Sequence, residues 1–71
     1  MTSEIDSGGV AAVDRAIAIL RAIARQGSPI TLADLARATG FYKSTLLRLL
    51  TSLERGALVI RRSDGRYALG S

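Results

Sequence analysis

Cysteine and histidine are both missing from this 71-residue sequence. Without them there is no disulfide staple, no thiol redox chemistry and no zinc-finger site. Nucleophilic catalysis also loses its usual adjacent base. A chain without cysteine fits a reducing cytoplasm. Long apolar runs are missing as well, because Asp or Arg interrupts each of them far short of the roughly 20 residues that span a bilayer. The opening "MTSEIDSGGV" is acidic and polar, unlike the basic-then-apolar pattern of a secretory signal. No glycine-rich phosphate loop precedes a helical pattern. The carboxylates are scattered: Glu4 and Asp6 fall in the opening stretch, Asp34 suits a helix cap and Asp64 a turn. No pair of them has the spacing of acid/base or metal chemistry. The sequence therefore predicts no catalytic residues, no metal, no cofactor and no membrane segment, in a cytoplasmic protein.

What is present suffices for one small domain. A domain of this size buries only about 60% of the surface its unfolded chain exposes, so each apolar stripe matters. Residues 1–9, rich in Ser and Gly, read as a flexible tail, and residues 10–70 as the folded domain. The net charge of +4 is unevenly placed. Residues 1–42 hold Arg15, Arg21, Arg25 and Arg37 against Glu4, Asp6, Asp14 and Asp34, which cancel. Residues 43–71 hold Lys43, Arg48, Arg55, Arg61, Arg62 and Arg66 against only Glu54 and Asp64. Such asymmetry suits a surface that faces a polyanion; it also suits a solvated, solubilising face.

Residues 10–25, "VAAVDRAIAILRAIAR", predict a first helix. Val13, Ile17, Leu20 and Ala24 make one apolar stripe, with Asp14, Arg15, Arg21 and Arg25 opposite or flanking it. Ala12, Ala16, Ile19 and Ile23 make a second stripe, which either widens the buried face or packs against another chain. Gly27 and the following Ser-Pro stop the helix. "TLADLARATG" predicts a second helix with Thr31 as N-cap, and Asp34 three residues on resembles a capping box with a shorter acid. Leu32, Leu35, Ala36 and Thr39 are expected inside, and Gly40 ends the helix in a left-handed conformation. The connection to the third helix is about three residues, so the two helices must cross sharply. That third helix, Tyr42 to Arg55, puts Leu46, Leu49, Leu50 and Leu53 on one face and Ser44, Arg48, Thr51 and Arg55 on the other, with Leu47 at the border. After Gly56 the period changes to that of strands, and Ser63-Asp64-Gly65 predicts a hairpin turn flanked by Arg61, Arg62 and Arg66.

Three helices with a tight turn, followed by a two-stranded hairpin, are a mostly α architecture of the winged helix-turn-helix kind. In that layout the helix after the turn enters the DNA major groove and the hairpin reaches the flanking backbone. Arg48 could pair with a guanine, Ser44 and Thr45 could reach base edges or phosphates, and Lys43 a phosphate at the helix N-terminus. Arg61, Arg62 and Arg66 suit phosphates, or alternatively protect an edge strand from aggregation. Tyr42, Thr51, Arg55, Thr31 and Arg15 complete the candidate contacts. Ordinary surface helices carry Glu/Lys pairs, whereas this outer face holds no acid and Glu54 lies at its edge. A winged-helix protein-docking module is the alternative of another class, although apolar anchors dominate docking sites.

"TLADLARATGFYKSTLLRLLTSLERGALV", followed by "GRYALG", resembles the isocitrate lyase regulator (IclR) family of bacterial transcription factors, from about Val10 to Gly70. "DRAIAILRAIA" resembles its first helix, and "KST" with "RLL" its recognition helix. The resemblance implies a winged helix-turn-helix domain that binds double-stranded operator DNA as a homodimer, with Lys43, Ser44, Thr45 and Arg48 as contacts and Arg61, Arg62 and Arg66 on the wing. It also implies pairing through the first helix and a linker helix, which would employ Ala12, Ala16, Ile19 and Ile23 of the first. A MarR-like or other winged-helix regulator would keep DNA binding and change the dimer. Two departures stand out. The family usually has Pro where Tyr42 stands, and Pro stiffens a first helical position at no hydrogen-bonding cost. The family also carries a long C-terminal domain for a small-molecule effector, and this sequence stops at "YALGS", as either an excised domain or a naturally short relative would, with excision the favoured expectation.

Overall fold

The computed structural model describes residues 8–70. Its elements are α1 (Ala11–Gln26), α2 (Leu32–Thr39), α3 (Lys43–Arg55), β1 (Val59–Arg61) and β2 (Tyr67–Leu69). The expected tail, up to Ser7, lies outside the described residues.

Helix α1 carries Asp14 in its first turn and Arg25 in its last, each complementing the helix dipole. It stops at Gly27, which takes the left-handed conformation (φ 73°). The face it buries differs from the first expectation. Ile19 and Ile23 are only 0% and 3% exposed and sit in the chain's own core, while Val13 and Ile17 are 55% and 43% exposed. Ile19 and Ile23 are therefore core residues and not an interface with another chain. The two stripes of α1 are almost equally apolar, so periodicity alone could not choose between them. The choice is made by α2 and α3, which pack against the Ile19/Ile23 side. Ala16 and Leu20 are half-buried at the edge of that packing, and Ala12 is exposed.

Helix α2 starts where the sequence indicates. The Thr31 hydroxyl accepts the Asp34 N–H at 3.1 Å, satisfying one of the free donors of the first turn. The Asp34 carboxylate pairs with Arg37, so the capping box is half made; an aspartate is one methylene shorter than the glutamate that usually closes it. Gly40 ends the helix at φ 76° and donates its N–H to the Ala36 carbonyl at 2.8 Å. The Thr39 hydroxyl reinforces the turn, donating to the Leu35 carbonyl at 2.7 Å and accepting from the Phe41 N–H at 3.2 Å. Two residues later α3 begins, with Tyr42 as an N-cap that makes no side-chain bond.

Leu46, Leu50 and Leu53 bury the inner face of α3 against Ile19, Ile23, Leu35, Val59 and Tyr67. Each buried aliphatic side chain contributes roughly 1.5–3 kcal/mol, and together they fix the orientation of the opposite, outer face. The chain leaves α3 through Ala57 at φ 60°, a left-handed conformation that costs a non-glycine residue about 1–2 kcal/mol. Its carbonyl oxygen would lie 1.9 Å from a Cβ at Gly70, so only glycine fits there. Strands β1 and β2 pair antiparallel in the register Val59 to Leu69, Ile60 to Ala68 and Arg61 to Tyr67. Tyr67 also exchanges backbone hydrogen bonds with Ile30, at 2.9 and 2.8 Å. This isolated bridge ties the hairpin to the start of α2.

Candidate nucleic-acid interface

The outer face of α3 presents Lys43, Ser44, Leu47, Arg48, Thr51 and Arg55 to solvent, with Thr45 half-buried beside them. Its first turn contains no acid. The N–H groups of that turn have no partner within the helix and favour an anion. Tyr42 stands at the mouth of the helix with 83% of its surface exposed. Among the described residues the ion pairs are Asp34–Arg37 and Arg62–Asp64. Among those residues, Lys43, Arg48 and Arg55 have no carboxylate at ion-pair distance.

Packing also brings in Arg15 from α1. It shares one shallow groove with Ala12, Thr45, Arg48, Leu49 and Ser52, and another with Gly40, Phe41, Tyr42 and Thr45. A cation distant in sequence therefore stands beside the first two turns of α3. On the hairpin, Arg61 ends β1 while Arg62 and Arg66 bracket the turn. The Arg62 N–H donates to the Arg66 carbonyl at 2.7 Å, the Gly65 N–H to the Arg62 carbonyl at 2.9 Å and the Arg66 N–H to Asp64 Oδ1 at 3.0 Å. These bonds, with Gly65 at φ 84°, hold three guanidinium stems near one tip. The Arg62 side chain lies 3.9 Å from the Asp64 carboxylate, and both are about half exposed. Such a surface pair contributes at most about 1 kcal/mol and yields readily to a competing anion.

Two candidates carry other engagements. The Thr31 hydroxyl serves as the cap of α2. The Thr51 hydroxyl donates back to the Leu47 carbonyl at 2.8 Å, a bond a threonine in mid-helix commonly makes. Two surface features were not anticipated. Leu47 stands in the open next to Arg48 instead of at a border. Val13, Ile17 and Leu20 also continue, across a groove, into Leu49, Leu53 and Leu58. The signal for the second lay in Leu58, an apolar residue just after Gly56 with no core partner in the helical pattern.

A short helix, a glycine turn and a second helix held on an apolar core, followed by an arginine-tipped antiparallel hairpin, define a winged helix-turn-helix, the architecture of a DNA-binding domain. The sequence model of the IclR helix-turn-helix domain matches residues 12–62, and the chain belongs to that family. The fold matches an IclR transcriptional regulator from Alicyclobacillus acidocaldarius at a TM-score of 0.83 and 33% identity, over 90% of this chain and 26% of that one. An IclR-family regulator from Rhodococcus sp. matches at a TM-score of 0.77 and 27% identity, over 99% of this chain and 28% of its own. No curated protein matches. The chain thus spans about a quarter of the solved regulators it resembles, and it corresponds to a DNA-binding winged helix of transcription regulators. Among the described residues no helix is long and apolar enough to cross a membrane.

Proposed function

We propose that this chain binds operator DNA sequence-specifically by seating α3 in the major groove and laying the hairpin along the adjacent backbone. The observation that carries this reading is the outer face of α3, where Lys43, Arg48 and Arg55 stand exposed, with no carboxylate at ion-pair distance among the described residues, on a helix locked by Leu46, Leu50 and Leu53. A major groove about 12 Å wide admits one helix of this size. Arg48 donates to a guanine, and Ser44 and Thr45 reach base edges or the nearest phosphate. Lys43, Arg15, Arg55, Arg61, Arg62 and Arg66 neutralise phosphates, and Tyr42 rests on the sugar-phosphate backbone. Thr31, already engaged as a cap, contributes by fixing α2.

In the whole regulator two copies sit on a two-fold operator with half-site centres about 34–36 Å apart, or a multiple. The exposed residues Val13 and Ile17, with Ala12, Ala16 and Leu20 beside them, support pairing of the copies through α1. Effector control belongs to a separate domain, and the regulator acts in the cytoplasm. The test is binding of a fluorescent mixed-sequence duplex across a salt series. Six phosphate contacts predict a slope near −5.4 in log K against log salt, roughly a thousandfold loss between about 50 and 200 mM. A binding constant indifferent to salt would overturn the proposal.

A further inference from the structure

The reading face of α3 is interrupted by one apolar residue. Leu47 is 47% exposed, belongs neither to the core nor to the residues packed against it, and sits one turn after Lys43 and one turn before Thr51. Residues four apart on a helix are surface neighbours, with Cβ atoms about 5–6 Å apart. Thr51 is exposed and its hydroxyl is engaged on the Leu47 carbonyl, so its γ-methyl is the group left for a contact outside the helix. Leu47 and the Thr51 methyl therefore make a small apolar spot, with Lys43 on one flank and Ser44 and Arg48 on the other. A helix that needed only solubility would have no use for a leucine here, since Leu46 and Leu50 already fill the inner face.

The major-groove edges of the base pairs offer donors, acceptors and one strongly apolar group, the 5-methyl of thymine, which alanine, threonine methyl and larger apolar side chains contact. We infer that Leu47, assisted by the Thr51 methyl, reads a thymine next to the base that Arg48 contacts. This assignment rests on the proposal that α3 occupies the major groove. It adds a specificity element that is neither a charge nor a hydrogen bond, so it would leave the salt dependence of binding untouched.

The test uses the 71-residue chain and random-sequence duplexes enriched on it at low salt. The best duplex is resynthesised with each thymine replaced in turn by deoxyuridine, which pairs alike but lacks the methyl. Wild type is expected to lose roughly fourfold in affinity at one or two adjacent positions, the transfer value of one buried methyl expressed as a ratio. Leu47→Ala should bind the thymine and uracil forms equally, with an unchanged salt slope. Thr51→Ser, which keeps the hydroxyl and removes the methyl, should show a reduced difference. Wild type indifferent to every replacement, or Leu47→Ala retaining the full difference, would overturn the inference. Failure to enrich any sequence, with no salt-dependent binding, would instead overturn the major-groove reading on which it rests.

Discussion

Two isoleucines two residues apart on α1 should respond in opposite ways to truncation. Ile19 has no exposed surface, whereas Ile17 is 43% exposed. Removing a fully buried isoleucine costs about 2–5 kcal/mol, because the lost transfer energy adds to the cavity left behind. At 0.05–0.15 kcal/mol per residue, the whole domain holds only about 4–11 kcal/mol. Ile19→Ala should therefore remove a large part of the stability, lowering the melting temperature by roughly 8–40 °C at about 4–8 °C per kcal/mol. Ile17 keeps somewhat more than half of its surface covered, so truncation forfeits about 1 kcal/mol and under about 8 °C. Thermal denaturation followed by circular dichroism separates the two. Equal shifts, or a larger loss for Ile17→Ala, would mean that the core lies on the other stripe. If copies pair through α1 as proposed, Ile17→Asp should weaken self-association of the whole regulator in sedimentation equilibrium, and an unchanged dimer would contradict that pairing.

Three further outcomes follow from the same geometry. Arg48→Ala should lower affinity for the selected operator by about 1–3 kcal/mol and relax preference at one base pair, as read by competition binding. Neutralising Arg61 and Arg62 together should weaken all duplexes alike and flatten the salt slope by about 1.8; a loss confined to one sequence would contradict a phosphate role. Thr31→Ala should cost about 1 kcal/mol of stability through the lost cap, measured by urea denaturation.

Much of this architecture was legible in the residues. The leucine spacing of α3, the glycine after each of the first two helices and the Asp64-Gly65 turn each encode a local geometry, and local geometry survives the reading of one strand of sequence. Residues sharing the outer face of α3 were legible for the same reason, since periodicity fixes their direction relative to Leu46 and Leu50. What remained hidden depended on partners. Which stripe of α1 turns inward is decided by α2 and α3, not by α1. The Ile30–Tyr67 bridge involves a single residue before a helix and so leaves no periodic trace. The approach of Arg15 to Thr45 and Arg48 joins elements about thirty residues apart. The Thr51 hydroxyl could turn outward or back onto the helix, and sequence does not distinguish the two. Asp34 had two positive neighbours to choose from, a backbone N–H and Arg37, and its short stem favoured the side chain one turn on.

The central claim is that α3 and the hairpin form one DNA-binding surface. A backbone amide NMR titration of the chain with a mixed-sequence duplex at low salt tests it most directly. The account predicts shifts concentrated at residues 42–55 and 61–66, with a response at Arg15 and little at Ile19, Leu35 or Ala24. A folded domain whose α3 and hairpin amides stay unmoved would contradict it.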